Sequence, residues 1–151
     1  MINADILQPV VALLVWTMIM WLWMYATRIP AMSKAGIEPN DARQTGVLDE
    51  RLPAEVQWKA HNYNHLHEQP TVFYAVALVL AVSGHGDSGH AFLAWIYVGL
   101  RIAHSLVQAT ANSVMARFVL FALSSLVLIV MIYHAFMVVF MLGIPLETVL
   151  N

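Results

Sequence analysis

Hydrophobic residues in this chain come in long unbroken blocks rather than in strict alternation, which predicts helices and no sheet. Leu7–Tyr25 is uncharged and rich in Val, Leu, Met and Trp. It is long enough to cross a bilayer, which takes about 20 apolar residues for roughly 30 Å of hydrocarbon. Trp16, Trp21, Trp23 and Tyr25 crowd toward its C-terminal end, where amphipathic rings favour the membrane interface. No basic n-region and no small-residue cleavage site accompany the block, so it is expected to stay as a first helix. Phe118–Leu142 is a second clear span, with Pro145 expected to end it. Ala91–Ala111 is also long enough, although Arg101 and His104 sit near its middle. Thr71–Val82 is too short alone and crosses only if its helix starts earlier, carrying Asn62, Asn64, His65, His67 and Glu68 toward the membrane. The pattern predicts one all-α domain over residues 1–151. Its spans fall at about 6–26, 62–83, 91–111 and 117–142, in up-down order with left-handed packing, and a loop covers 27–60.

Composition sharpens this picture. The chain has 151 residues, of which 60% are hydrophobic and 11% charged, and its mean hydropathy is +0.70. A water-soluble domain carries about a quarter charged residues, so that class is excluded. The net charge of −2 leaves no basic face for nucleic acid. With no cysteine there is no disulfide, no thiolate metal site and no cysteine nucleophile. Arg28, Lys34, Arg43, Arg51 and Lys59 all lie between the first two spans, whereas the turn Ser83–His90 holds no Lys or Arg. By the positive-inside rule the first loop is cytosolic and the N-terminus lies outside. Pro30, Gly36, Pro39, Asn40 and Gly46 give that loop turn chemistry, and Pro53 is a favoured first residue for a helix running unbroken to Val82. Those residues would reach about 45 Å, so the first turns project from the hydrocarbon.

Polar residues inside the spans carry the chemistry. His61, Asn64, His65 and Glu68 recur at helical spacing on the second helix, as do Arg101, His104, Ser105, Gln108 and Asn112 on the third. Buried ionisable groups in a membrane must face protein or water, so the two stripes predict a shared polar pocket at the cytosolic end. Arg117 opens the fourth helix, where a helix N-terminus and a guanidinium together favour an anion. A structural Arg101–Glu68 ion pair is the plainer reading of part of this pattern. A metal on His61 and His65 is a weaker one, because the Glu-x-x-His signature of bundle metal sites is missing. Tyr133 and His134 read as packing or interfacial residues, and His85 and His90 as solvated.

The run His61-Asn62-Tyr63-Asn64-His65-Leu66-His67-Glu68-Gln69-Pro70-Thr71-Val72-Phe73, followed by Arg101-Ile102-Ala103-His104-Ser105, Asn112 and Arg117, resembles the MAPEG family, the membrane-associated proteins in eicosanoid and glutathione metabolism, in its bacterial branch. The resemblance spans nearly the whole chain. It implies a homotrimer of four-helix subunits in a bacterial cytoplasmic (inner) membrane, with glutathione held as co-substrate near the cytosolic face. It further implies a transferase or peroxidase acting on small hydrophobic electrophiles or lipid hydroperoxides that arrive among the membrane lipids. Carried over by residue, the glutathione contacts are Arg28, Asn64, Glu68, Arg101, His104 and Gln108, and Arg117 activates the thiol. Lys59 stands where several family enzymes have arginine, and Gln108 and Phe121 stand where enzymatic members often present a tyrosine hydroxyl. The family also holds a non-catalytic lipid-binding member, so the same fold serves a second, non-enzymatic expectation.

Overall fold

The computed structural model describes residues 5–38, 40–43 and 45–142. Among them there is no strand, and six helices follow in order: α1 Leu7–Lys34, α2 Thr45–Arg51, α3 Ala54–His65, α4 Gln69–Val82, α5 Ser88–Thr110 and α6 Val114–Phe136. A short 3₁₀ turn, Asp41–Arg43, precedes α2, and a π-helical turn, Met137–Leu142, extends α6. The stop expected at Pro145 and the turn residue Pro39 lie outside the described residues. Among the described residues three helices are long and apolar enough to cross a membrane: Leu7–Lys34, Ser88–Thr110 and Val114–Met141.

Two of the helices, α1 and α4, close on the same kind of glycine cap. After α1, the Gly36 amide donates to the Ser33 carbonyl and the Ile37 amide to Met32. Gly36 takes φ 63°, and Ile37 tucks against Ala31 and Met32. This left-handed glycine cap with its apolar clasp closes the helix. The same pattern recurs after α4: the Gly84 amide donates to Ala81, the His85 amide to Leu80, and Gly84 takes φ 79°. At the start of α5, the Asp87 carboxylate accepts from the amides of Gly89 and His90, both at 3.1 Å, and satisfies two donors the helix leaves open.

The structure departs from the sequence expectation in two places. The segment 27–60 is largely helical rather than loop, because α1 runs through Pro30 to its glycine cap and the first turns of α3 follow Pro53. The helix expected unbroken from Pro53 to Val82 is interrupted between His65 and Gln69. Pro70, in the first turn of α4, has no N–H for the Leu66 carbonyl, and its ring would clash with that carbonyl in a continuous helix.

The core lies where α1, α4, α5 and α6 meet. Leu13, Met20, Phe73, Ala77, Leu80, Ala94, Tyr97 and Met131 are completely buried. Phe73 and Tyr97 stack at 4.5 Å. Ala77, Ala91, Ala94, Ala109, Ser105 and Ser124 let the helix backbones approach closely, the usual device where lipid rather than water surrounds a bundle. Across α4 to α6, the Gln69 amide donates to Ser125 Oγ at 2.7 Å, and Tyr97 Oη donates to Gln69 Oε1 at 3.4 Å. Outward, Leu14, Met18, Leu22, Leu126, Ile129 and Phe136 are exposed, an apolar surface suited to lipid or to neighbouring chains.

Candidate functional site

The break between α3 and α4 organises the site. Where α3 ends, the His65 carbonyl accepts from the Glu68 amide at 3.4 Å, and Arg101 on α5 adds a second donor: its Nη2 donates to the His65 oxygen at 3.3 Å. Arg101 is completely buried. Its guanidinium also lies 5.8 Å from the Phe121 ring centre on α6, so a single side chain ties three helices together. Among the described residues no carboxylate lies within ion-pair distance of Arg101, and the Arg101–Glu68 pair does not form. Arg101 Nε and Nη1, His104 Nδ1 and Ser105 Oγ are buried without a hydrogen-bond partner among the described residues.

Glu68 turns instead to its own segment, accepting from His65 Nδ1 at 2.7 Å. The His65 ring stacks on Phe121 at 5.6 Å and lies 5.0 Å from the His104 ring. One turn earlier, buried Asn62 donates from Nδ2 to Gln108 Oε1 at 3.0 Å and pins α3 to α5. Arg117, in the opening turn of α6, donates from Nη1 to Asn112 Oδ1. Asn112 is held in the left-handed region, φ 49°, where its amide meets the Val107 carbonyl at the close of α5. The α5–α6 corner therefore fixes the guanidinium through the residue that makes the turn.

These groups surround a cleft of about 460 Å³ lined by His61, His65, Glu68, His104, Gln108, Val114, Arg117, Phe118 and Phe121. The α3 to α5 side is polar, with Glu68 as its carboxylate, and α6 contributes the Arg117 guanidinium together with apolar Val114, Phe118 and Phe121, of which Phe118 and Val114 are exposed at the edge. Such a two-sided cleft accommodates an amphipathic anion: the guanidinium and the helix N-terminus meet its negative charge, and the α6 wall receives apolar groups.

Of the residues read from the sequence, Glu68, His104, Gln108 and Arg117 line the cleft, and Arg101 lies beneath it against His65 and Phe121. Asn64 is exposed on α3 and Arg28 half-buried on α1, and neither lines the cleft. His61 and His65, which belong to the same helical stripe, do line it, although the sequence placed neither among the ligand contacts. Among the described residues no three His, Asp or Glu side chains gather into a set that could hold a metal ion. Asn62 was missed. Its signal was Leu66, one turn on and equally buried, which marks that side of α3 as the inward one.

No curated protein and no solved structure matches the chain. The sequence pattern of the MAPEG family matches residues 6–137, a stretch that takes in α1 through α6 and every residue of the cleft. The chain therefore belongs to the MAPEG family.

Proposed function

We propose that the chain is a membrane-bound glutathione-dependent transferase or peroxidase that presents the glutathione thiolate to small hydrophobic electrophiles or lipid hydroperoxides. The observation that carries this reading is Arg117, held by Asn112 at the mouth of a mixed polar and apolar cleft in a family that includes such enzymes. A free thiol has a pKa of about 8.5, and a guanidinium beside it stabilises the thiolate, which is the nucleophile. The carboxylates of glutathione call for fixed cationic donors, and the unpaired Arg101 nitrogens and the His104 ring nitrogen supply buried donor capacity next to the cleft. Glu68 and Gln108 offer acceptors for the ammonium and amide groups. Val114, Phe118 and Phe121 form the wall along which an apolar second substrate enters from the bilayer.

In this reading α3 and α4 together make a fourth crossing, and the broken helix places polar backbone only where protein lines it. Three chains assemble as a homotrimer in a bacterial inner membrane, with the N-terminus outside and the cleft at the cytosolic end. Exposed Asn64 and half-buried Arg28 then reach glutathione across a subunit boundary rather than within one chain.

One observation favours a second reading, a non-enzymatic lipid-binding or scaffold protein of the same fold. No tyrosine, serine or threonine hydroxyl lines the cleft among the described residues, and Gln108 and Phe121 stand at the places expected for one. Isothermal titration of glutathione into the detergent-purified protein, with an ultraviolet difference spectrum for thiolate on the same sample, separates the two. Binding with a thiolate signal near neutral pH is the expected result. Binding without that signal supports the scaffold reading, and no binding overturns the glutathione site.

A further inference from the structure

A second cleft, of about 590 Å³, lies at the C-terminal end of α1 and shares no residue with the Arg117 site. Ala26, Thr27, Pro30, Ala31 and Lys34 of α1 with its cap residue Ala35 form one side, and Arg51, Pro53 and Val56 the other. Its floor is small and apolar. Lys34 and Arg51 are its charged members, and among the described residues no carboxylate lines it. Arg51 is held there, because its Nη2 donates to the Ala35 carbonyl at the α1 C-terminus, at 3.4 Å. Behind it, buried Ile37, Leu48 and Leu52 pack against Ala31, Met32 and Val56 and fix α2 against the end of α1.

The depth of this cleft identifies its ligand. With 28 residues, α1 is about 42 Å long, whereas hydrocarbon is about 30 Å thick, so a helix entering near Leu7 leaves it near Thr27. Trp21, Trp23 and Tyr25 mark that boundary as an aromatic belt, with Trp21 and Tyr25 packed edge to face at 5.1 Å. The cleft starts at residue 26, the level of phospholipid headgroups. An apolar track leads to it: Val11, Val15, Met18, Leu22, Ala26 and Ile29 recur at steps of three and four on one face of α1, all exposed, and Ala26 also lines the cleft.

We propose that this cleft binds an anionic glycerophospholipid, its phosphate between Lys34 and Arg51 and an acyl chain along the exposed face of α1. The two cations recognise the anion, and the track is what a lipid has and a free phosphate lacks. The site is independent of whether the other cleft binds glutathione.

Native mass spectrometry of the purified full chain in detergent tests it, with phosphatidylglycerol and phosphatidylethanolamine of equal chain length in competition. The expected result is a bound phosphatidylglycerol on each chain of the intact assembly, in preference to phosphatidylethanolamine. The K34Q/R51Q double variant should lose roughly thirtyfold of that preference, as expected for two cations at an anionic surface. Arg43→Gln, at a position outside the cleft, should keep it. Equal binding of the two lipids by the parent protein overturns the proposal without recourse to any variant. Full preference in the double variant also overturns it, since the anion is then held elsewhere. So does displacement of the lipid by millimolar inorganic phosphate, because the acyl track then contributes nothing. Lipid binding confined to dissociated chains overturns it as well, showing the cleft covered by a second copy.

Discussion

Single side chains in this bundle act through what they hold in place. Arg117 is the clearest case, since Asn112 fixes its guanidinium at the cleft to which the proposed function assigns glutathione. Arg117→Ala should lower glutathione-dependent turnover by about a hundredfold or more, the usual loss when one donor to a developing anion is removed. It should also erase the thiolate difference spectrum while leaving helix content unchanged by circular dichroism. Unchanged turnover would remove Arg117 from the chemistry. Asn62 tests the packing side of the same site. Asn62→Ala leaves Gln108 Oε1 without its buried donor, which should cost about 1–3 kcal/mol. That cost should appear as a lower unfolding temperature in detergent. Arg101 was legible in the sequence as a buried polar residue. Its partner was not, because the acceptor is a main-chain carbonyl exposed only by the break at Pro70.

Helices here are set at their ends more than by their interiors. The Asp87 cap offers a pH test. The His90 amide, helped by the His90 ring and the Gly89 amide and opposed by slight burial, holds the Asp87 carboxyl below the usual carboxylate range. A folded value below the unfolded one, about 3.9, means that the cap's contribution is complete above that range and is lost as pH falls through the depressed folded value. Thermal unfolding followed from pH 6 downward should therefore show an acid-side loss of stability that Asp87→Asn, still a capping residue, reduces. Asp87→Ala should cost about 1 kcal/mol at neutral pH, because both amides lose their acceptor. An identical acid profile in the Asn variant would show that Asp87 does not titrate with folding. Glycine acts similarly at the end of α4: Gly84→Ala places a Cβ at φ 79° and should destabilise by about 1 kcal/mol by the same measurement. The α1 and α4 caps are written locally as glycines, but α1 passing through Pro30 was not foreseen, since tertiary packing of α1 against α3 and α5 outweighs one lost backbone bond.

The bundle as a unit buries an apolar core and also exposes a broad apolar surface, a form suited to surrounding lipid. A trimer of 16.9 kDa chains is expected from light scattering with the detergent contribution subtracted. A monomer at micromolar concentration would place the full site within one chain and leave Asn64 and Arg28 without a role in it. The three long helices and the region of the polar site were evident from the chain alone. A hydrophobic block of about 20 residues has one low-energy solution in lipid, and ionisable residues within it must turn inward.

Local hydrophobicity and helical period were enough to read from the chain the all-helical class, the long apolar helices α1, α5 and α6, and the inward stripe of Arg101, His104 and Gln108. Which polar groups meet is a matter of packing. His65 with Glu68, Asn62 with Gln108 and Arg101 with the His65 carbonyl all depend on how far α3 extends before Pro70 breaks it and how α3 rotates against α5. A change of one residue in that register turns a side chain by about 100°, and a change of two, about 200°, would exchange Asn62 for Asn64 as the inward residue. Periodicity along one helix cannot supply that rotation, because it is set by packing against the others.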